Sequence, residues 1–441
     1  MKYAAFAGAL LVGVPLMALV TSNSEKARRA LFALLVFSTV LGDMASINFI
    51  STEGYRGPDR GFEVTLTDLM ALGLALGIIL RPEGRIRWAP YNTAWLAVGL
   101  VLACVSTAVA PVPLFGVFTL FKLLRMYVLY WCTVNFLATE GSIDPLRWGW
   151  VAVGVLTTTL SLKQKYLEGL YRIHGPLDHS NGIPLYSNLI IPVLLLWGLT
   201  DRRLSRAQAG LTILASLGLV FAVVATQSRA GTVLSGACVL GALGVANLRA
   251  SSRRVSFTTA FVLLCVVGGG AMAADTIIRR FQEAPESSEQ ARHEFNDAAR
   301  LMASDRRFGV GLNSFSRVLT DEPRYSQFME VMKGEEQAGV AHHIYWLTAA
   351  ETGYPGLVVF VIVIGRFAWL AGWSAWRHRQ YFEGILLAGS LLGFCALHAQ
   401  GTLEWGLRIT PITFVFTVAC ATVAGVAERL KDLDARLTAG A

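Results

Sequence analysis

The sequence predicts an all-helical, polytopic membrane protein with about 12 or 13 transmembrane helices and one long polar loop. Of its 441 residues, 54% are hydrophobic and 15% are charged, whereas about 25% of residues are charged in an average soluble domain. The mean hydropathy is +0.51. This much apolar sequence would fill roughly 12 helices of about 20 residues, the length that crosses a bilayer. The composition argues against a soluble domain and against a disordered chain.

Thirteen apolar segments are the candidate membrane helices, and because several are short, 12 is an equally good count. They cover residues 3–20, 31–50, 64–80, 92–110, 114–138, 148–162, 184–199, 208–226, 230–248, 257–274, 343–370, 381–399 and 407–427. The segments define four regions: transmembrane helices over 1–274, a loop domain over 275–341 above the active site, C-terminal transmembrane helices over 342–428, and a cytoplasmic tail over 429–441.

The loops between these segments alternate in charge, which predicts their sidedness. One set is short and basic, and under the positive-inside rule it lies in the cytoplasm. The other set, including 275–341, then lies outside. The net charge of +8 is therefore interpreted as a topology signal, and no nucleic-acid partner is expected.

The six cysteines all lie inside apolar segments, without a CxxC pair and without a neighbouring His cluster. Buried cysteine behaves as a small hydrophobic side chain. We therefore expect neither a disulfide nor a metal site from them.

Several cations lie where the positive-inside rule does not require them. Arg229, in Gln227-Ser228-Arg229-Ala230-Gly231, is at a membrane boundary. It either reaches lipid headgroups or binds a phosphate, to which a guanidinium offers two parallel N–H groups.

Lys122 and Arg125 share one face of an apolar segment, and they either pair with Asp or Glu or bind an anionic lipid group. Arg292 opens a helix-like run from Gln290 to Ser304 and is by itself an ordinary surface cation.

Two adjacent histidines, His342 and His343, lie where the polar loop re-enters the membrane. A histidine there can act as a general base, because its reference pKa is near the working pH, although it can equally cap a helix. Side chains of adjacent helical residues diverge by about 100°, so a shared metal ion is not expected. Polar groups near membrane boundaries are further candidates for acceptor binding or support: His179, His343, Tyr345, Glu351 and Glu404.

Three motifs in one order resemble the bacterial O-antigen ligase family, which also includes O-antigen polymerases and O-oligosaccharyltransferases. They are Gln227-Ser228-Arg229-Ala230, the Arg292 helix followed by a turn that ends at Phe315, and His342-His343-Ile344-Tyr345-Trp346 with Glu351-Thr352-Gly353-Tyr354-Pro355-Gly356-Leu357. Two positions depart from the family pattern: His343 replaces the usual Asn, and Asn296 replaces an aromatic residue.

The resemblance implies a metal-independent GT-C-type glycosyltransferase of the bacterial inner membrane, with its active site facing the periplasm and no cofactor. Its donor would be a glycan on undecaprenyl pyrophosphate, and its acceptor a sugar hydroxyl of lipid A-core or of another glycan. By carry-over, His342 would be the base, and Arg229 and Arg292 would hold the diphosphate.

The leading expectation is an O-antigen ligase. An O-antigen polymerase and a protein O-oligosaccharyltransferase share the donor motifs and remain open. A non-enzymatic transporter of lipid-linked glycans is the alternative from another class. Against it stands the long outer loop, which suits an enzyme lid. Matching pairs of Gly/Pro-broken helices, which mark many carriers, are also absent from the sequence.

Overall fold

The computed structural model describes residues 2–52, 54–81, 86–177, 179–264, 286–327 and 339–439. The α-helices are α1 (Lys2–Gly8), α2 (Val14–Asn23), α3 (Glu25–Ser38), α4 (Leu66–Leu80), α5 (Thr93–Ala108), α6 (Pro113–Thr139), α7 (Asp144–Leu162), α8 (Gly182–Thr200), α9 (Arg206–Ala225), α10 (Arg229–Arg249), α11 (253–264), α12 (Glu286–Asp305), α13 (Phe315–Asp321), α14 (Pro323–Ser326), α15 (Ile344–Arg377), α16 (Phe382–Gln400) and α17 (Thr410–Ala439).

Short irregular elements connect some of these helices. A π-helical turn joins α1 to α2, and a two-stranded antiparallel hairpin, β1 (Ser46–Phe49) with β2 (Phe62–Thr65), precedes α4. Thr65 caps α4: its hydroxyl accepts from the Asp68 backbone N–H, while the Asp68 carboxylate accepts from the Thr65 N–H. This reciprocal capping box fixes where the helix begins.

The all-helical membrane class predicted from the sequence is confirmed. Within the described ranges, eight helices are long and apolar enough to cross a membrane, the first of them formed by α1 and α2 together. Two shorter apolar helices, α4 and α5, accompany them. The count of 12 or 13 also includes shorter segments and remains a prediction.

The bundle is centred on α8, which is buried on all sides and packs against α9, α10 and α16. Apolar character alone does not explain this placement, because α9 and α15 are more apolar than α8 and are less buried. The loop that precedes α8 and the loop that follows α16 meet at one end of the bundle, where Asn181 contacts Glu404.

The polar insertion forms a small satellite core on the first turns of α15. Phe295 and Met302 of α12 pack there with Phe315 of α13 and Leu347 of α15, all buried. The expected helix over 290–304 is confirmed, but it begins earlier, at Glu286. Arg292 consequently lies well inside α12 rather than at its start.

The helix α15 contains a break at Gly353, whose φ of 70° and ψ of 175° are not helical. The insertion approaches this break closely: the Val310 and Gly311 N–H groups donate to the carbonyls of Ala350 and Glu351. The Gly-rich turn is thereby fastened to the membrane helix. At the other end of the chain, α17 continues without interruption through 429, where the sequence had suggested the start of a tail.

Candidate functional site

The two adjacent histidines have different environments. His343 is the N-cap of α15, and its Nδ1 accepts from the Trp346 backbone N–H at 3.4 Å. Burial, together with the Arg300 guanidinium, lowers the pKa of His343 below its ordinary value. His343 is therefore a neutral capping residue. His342, one position earlier, faces Glu404, with 3.5 Å between its Nδ1 and the Oε2 of that carboxylate.

Glu404 is the centre of the site: two hydrogen bonds hold its Oε1, whereas its Oε2 lies 3.5 Å from a His342 Nδ1 that has no hydrogen-bond partner among the described residues. Its Oε1 accepts from the Arg292 Nη2 at 3.1 Å and from the Asn181 Nδ2 at 2.7 Å. Its Oε2 faces His342. The Glu404 side chain is 9% exposed, whereas His342 and Arg292 are 29% and 37% exposed. The carboxylate is thus enclosed, while the histidine and the arginine remain accessible to a substrate.

The loop that carries Glu404 is held at both ends by α15. At its start, the Ile344 N–H donates to the Gly401 carbonyl at 2.9 Å. Near its end, the Arg408 guanidinium forms an ion pair of 2.5 Å with the fully buried Glu351. Two anchors on one helix fix the loop relative to His342, which immediately precedes that helix. Glu351 is thus placed as a support for the site.

A second loop, between α7 and α8, completes the cluster. Asn181 donates to Glu404, and the Arg172 Nη2 donates to the Asn181 Oδ1 at 3.0 Å. The Nδ1 of His179 accepts from the Asn181 backbone N–H at 3.2 Å. Burial lowers the pKa of His179, opposed by Glu404 and assisted by Arg172. His179 is therefore neutral near pH 7 and able to hydrogen-bond a sugar hydroxyl.

Arg229 is the first residue of α10, and Ser228 is the N-cap of that helix, accepting from the Gly231 N–H. The segment is connected to the Glu404 cluster through Arg172, whose Nε donates to the Thr226 carbonyl at 3.2 Å. A helix N-terminus carries partial positive charge. Arg229 at this position therefore adds to a field that favours an anion.

Lys122 and Arg125 have internal acidic partners. Lys122 is buried and pairs with Asp59 at 2.9 Å, and it also donates to the Arg408 carbonyl at 2.6 Å. Arg125 pairs with Asp68 and lies 3.7 Å from Glu63. Of the two interpretations that the sequence left open, internal pairing describes this geometry. Binding of a donor by these two residues remains a prediction.

Tyr345 lies in the first turn of α15 and contacts α16. Its hydroxyl is 3.1 Å from the His398 Nδ1, and its ring packs on Phe360. The contact joins α15 to α16. A supporting role is the one this geometry favours for Tyr345.

The structure therefore unites His342, Glu404, Arg292 and His179, which are distant in sequence. Sequence reasoning missed Arg172, and it identified Asn181 only as part of an outer loop rich in acceptors. The sequence feature that could have indicated them is the polar loop 163–183, but any polar turn has a similar composition. The contact with Glu404 also depends on how α8 and α16 pack.

Chemically, the cluster places the enclosed Glu404 carboxylate beside the His342 imidazole. The Arg292 guanidinium contacts the same carboxylate, and the Arg172 guanidinium contacts Asn181. A carboxylate on one nitrogen of histidine orients the ring and leaves the other nitrogen to take up a proton. The guanidinium groups suit phosphate oxygens. Within the described ranges, no group of three or more His, Cys, Asp or Glu side chains could hold a metal ion.

Residues 213–361 match a family model described as O-Antigen ligase, about a third of the chain. The match extends from α9 into α15 and includes Arg229, Arg292 and His342. The residues Arg172, Asn181 and Glu404 lie outside it. No curated protein matches the sequence.

Proposed function

We propose that the protein is a membrane glycosyltransferase of the ligase type, because residues 213–361 match a family model described as O-Antigen ligase. Its donor is a glycan linked to undecaprenyl pyrophosphate, and its acceptor is a sugar hydroxyl of lipid A-core. The reaction needs no metal ion and takes place at the periplasmic face of the inner membrane.

The observation that carries the proposal is the pair formed by His342 and Glu404, with Arg292 on the same carboxylate. The His342 Nε2 takes the proton of the acceptor hydroxyl, and Glu404 stabilises the imidazolium that results. The acceptor oxygen then forms a bond to the anomeric carbon of the donor. The bond from that carbon to the phosphate oxygen breaks, and the diphosphate leaves with the electron pair.

Charge stabilisation of the leaving diphosphate falls to Arg292 and Arg229. Preorganised donors aimed at developing negative charge are usually the largest contribution to catalysis of this kind. The diphosphate is already a good leaving group, so a base and fixed positive charge meet the chemical need. Arg292 exchanges its contact with Glu404 for the phosphate oxygens when the donor binds.

A polymerase that joins lipid-linked repeat units is the second candidate, because the family match supports ligase or polymerase chemistry in general. Protein O-glycosylation would also use the same donor machinery. The lipopolysaccharide of a deletion strain separates these functions. Loss of the whole O-antigen ladder with accumulation of lipid-linked polymer supports the ligase, and core with a single repeat supports the polymerase. An unchanged ladder contradicts both.

The test of the catalytic assignment is the variant His342→Ala in proteoliposomes, supplied with lipid-pyrophosphate glycan and lipid A-core, with and without EDTA. Loss of a positioned base lowers kcat about 10²- to 10⁴-fold, and we expect wild-type transfer to be the same in EDTA. Glycan transfer is measured by gel shift of the acceptor.

His343→Asn is the matched control. It removes the histidine next to His342, and Asn can replace His343 as the N-cap of α15. It should fold and transfer at a rate close to that of the wild type. Near-normal transfer by His342→Ala would refute the assignment, and a strict requirement for added divalent metal would refute the metal-free mechanism.

A further inference from the structure

The side chain of Asn181 lies between a guanidinium and a carboxylate. Its Oδ1 accepts from the Arg172 Nη2 at 3.0 Å, and its Nδ2 donates to the Glu404 Oε1 at 2.7 Å. An amide has one accepting and one donating end. A guanidinium can only donate and an ionised carboxylate can only accept, so a single orientation of the amide satisfies both neighbours.

We propose that Asn181, held by Arg172, is a positioning residue that fixes the Glu404 carboxylate for His342. The inference rests on the proposed function, since it assigns a role to the environment of the proposed base. With its Oε1 held by Asn181, the carboxylate keeps its Oε2 towards the His342 Nδ1, 3.5 Å away. Asn181 touches no reacting atom and acts through Glu404.

The loop that carries Asn181 is built to hold it in place. The Oε1 of Gln164 accepts from the backbone N–H groups of His174 and Gly175 at 3.0 and 2.8 Å, and its Nε2 donates to the Gly175 carbonyl at 2.9 Å. Ile173 and Leu177 of the same loop are buried. A loop fastened in this way can hold an amide in one position.

Arg172 extends the chain of contacts to the start of α10. Its Nε donates to the Thr226 carbonyl while its Nη2 holds Asn181. The Arg172 guanidinium thus holds both the segment before Arg229 and the Asn181 amide, which in turn holds Glu404. The proposed phosphate-binding and base-orienting parts of the site are joined through this residue.

The charged and titratable groups around the His342–Glu404 pair come from two elements. Arg292 approaches from α12, and Arg172 and His179 approach from the loop before α8. Replacement of Asn181 by Asp adds a carboxylate to this set. A second carboxylate favours protonated His342, so the base becomes available only at higher pH.

The decisive variant is Asn181→Asp, assayed in proteoliposomes with the lipid-pyrophosphate glycan and lipid A-core. The new carboxylate still accepts from Arg172 but meets Glu404 as a like charge. We expect kcat to fall by up to about 100-fold, the cost of a small misplacement of a catalytic group, with the donor KM unchanged. The acidic limb of the pH–rate profile should move to higher pH. Asn247→Asp, on an exposed site of α10, is the matched control and should keep the wild-type profile.

Asn181→Ser is the second variant, and it is used if Asn181→Asp does not elute as a folded species in size-exclusion chromatography. Serine is too short to bridge Arg172 and Glu404, so kcat should fall without the upward shift of the acidic limb.

The kinetic outcomes separate this inference from the function on which it rests. Wild-type kcat and pH profile in folded Asn181 variants would overturn the inference, as would a raised substrate KM at unchanged kcat, which would mark Asn181 as a substrate contact. Full transfer by His342→Ala would instead overturn the proposed function.

Discussion

Among individual residues, the cations of the bundle differ in what neutralises them. Lys122 and Arg125 are paired with Asp59 and Asp68, whereas Arg292 is paired with Glu404 beside His342. The sequence showed that buried cations need partners, but it could not name them, because each partner is more than 50 residues away. Helix packing decides these pairs, and local sequence does not encode it.

Arg229→Lys tests whether the guanidinium shape matters at the start of α10. Lysine keeps the charge but cannot make two parallel hydrogen bonds to one phosphate. We expect kcat/KM for the lipid-pyrophosphate donor to fall about 10- to 100-fold, the equivalent of a charge-assisted hydrogen bond. Steady-state transfer kinetics in proteoliposomes measure the change.

Arg249→Lys, at the other end of the same helix, is the control. Arg249 donates to the Ala375 carbonyl at 2.9 Å, far along α10 from Arg229, and its replacement should leave donor kinetics unaltered. Equal effects of the two substitutions would contradict a phosphate-binding role for Arg229.

At the scale of elements, hydropathy predicted the helices well, since a long apolar run has few alternatives in a membrane. It did not predict how the Gly-rich turn of the insertion joins α15. Gly309 and Gly353 both have positive φ, at 75° and 70°. The turn packs against the break in α15, so these two glycines depend on each other across the fold.

Gly353→Ala should destabilise the junction of insertion and membrane helix. A Cβ at this position would lie 2.0 Å from the Arg307 carbonyl oxygen, at a positive φ that side chains rarely adopt. We expect the stability to fall by about 2 kcal/mol or more, with transfer lost in parallel, because His342 lies at the same junction. Thermal unfolding in detergent micelles measures the stability.

Gly365→Ala is the matched control in the same helix, where a Cβ would meet nothing within 4 Å. Alanine is about 1 kcal/mol more favourable than glycine inside a helix, so this variant should be as stable as the wild type or more so. If Gly353→Ala behaves in the same way, the junction is not held as described.

For the whole molecule, charge asymmetry between loops predicted the sidedness, and the site lies among the loops assigned to the outer side. His342, Asn181 and Glu404 come from three separate loops that meet at one end of the bundle. How these loops meet could not be predicted from the sequence, because it depends on how α8 and α16 pack against each other.

Cysteine accessibility in spheroplasts tests the sidedness. Ser304→Cys, exposed near the end of α12, should react with a membrane-impermeant maleimide in intact spheroplasts. Ser251→Cys, exposed in a basic loop, should react only after lysis. The unsubstituted protein gives the background from the native cysteines. The reverse pattern would place the site in the cytoplasm.

The ion pair between Arg292 and Glu404 has a consequence for selectivity between anions. The carboxylate occupies a place on Arg292 that a phosphate would take, and it is tethered there by the chain. A tethered group competes at an effective concentration in the millimolar range or above. Free inorganic phosphate must displace this resident anion with a single phosphate. A membrane-confined diphosphate presents two, so under the proposed donor-binding role of Arg292 we expect the ion pair to disfavour soluble inorganic phosphate.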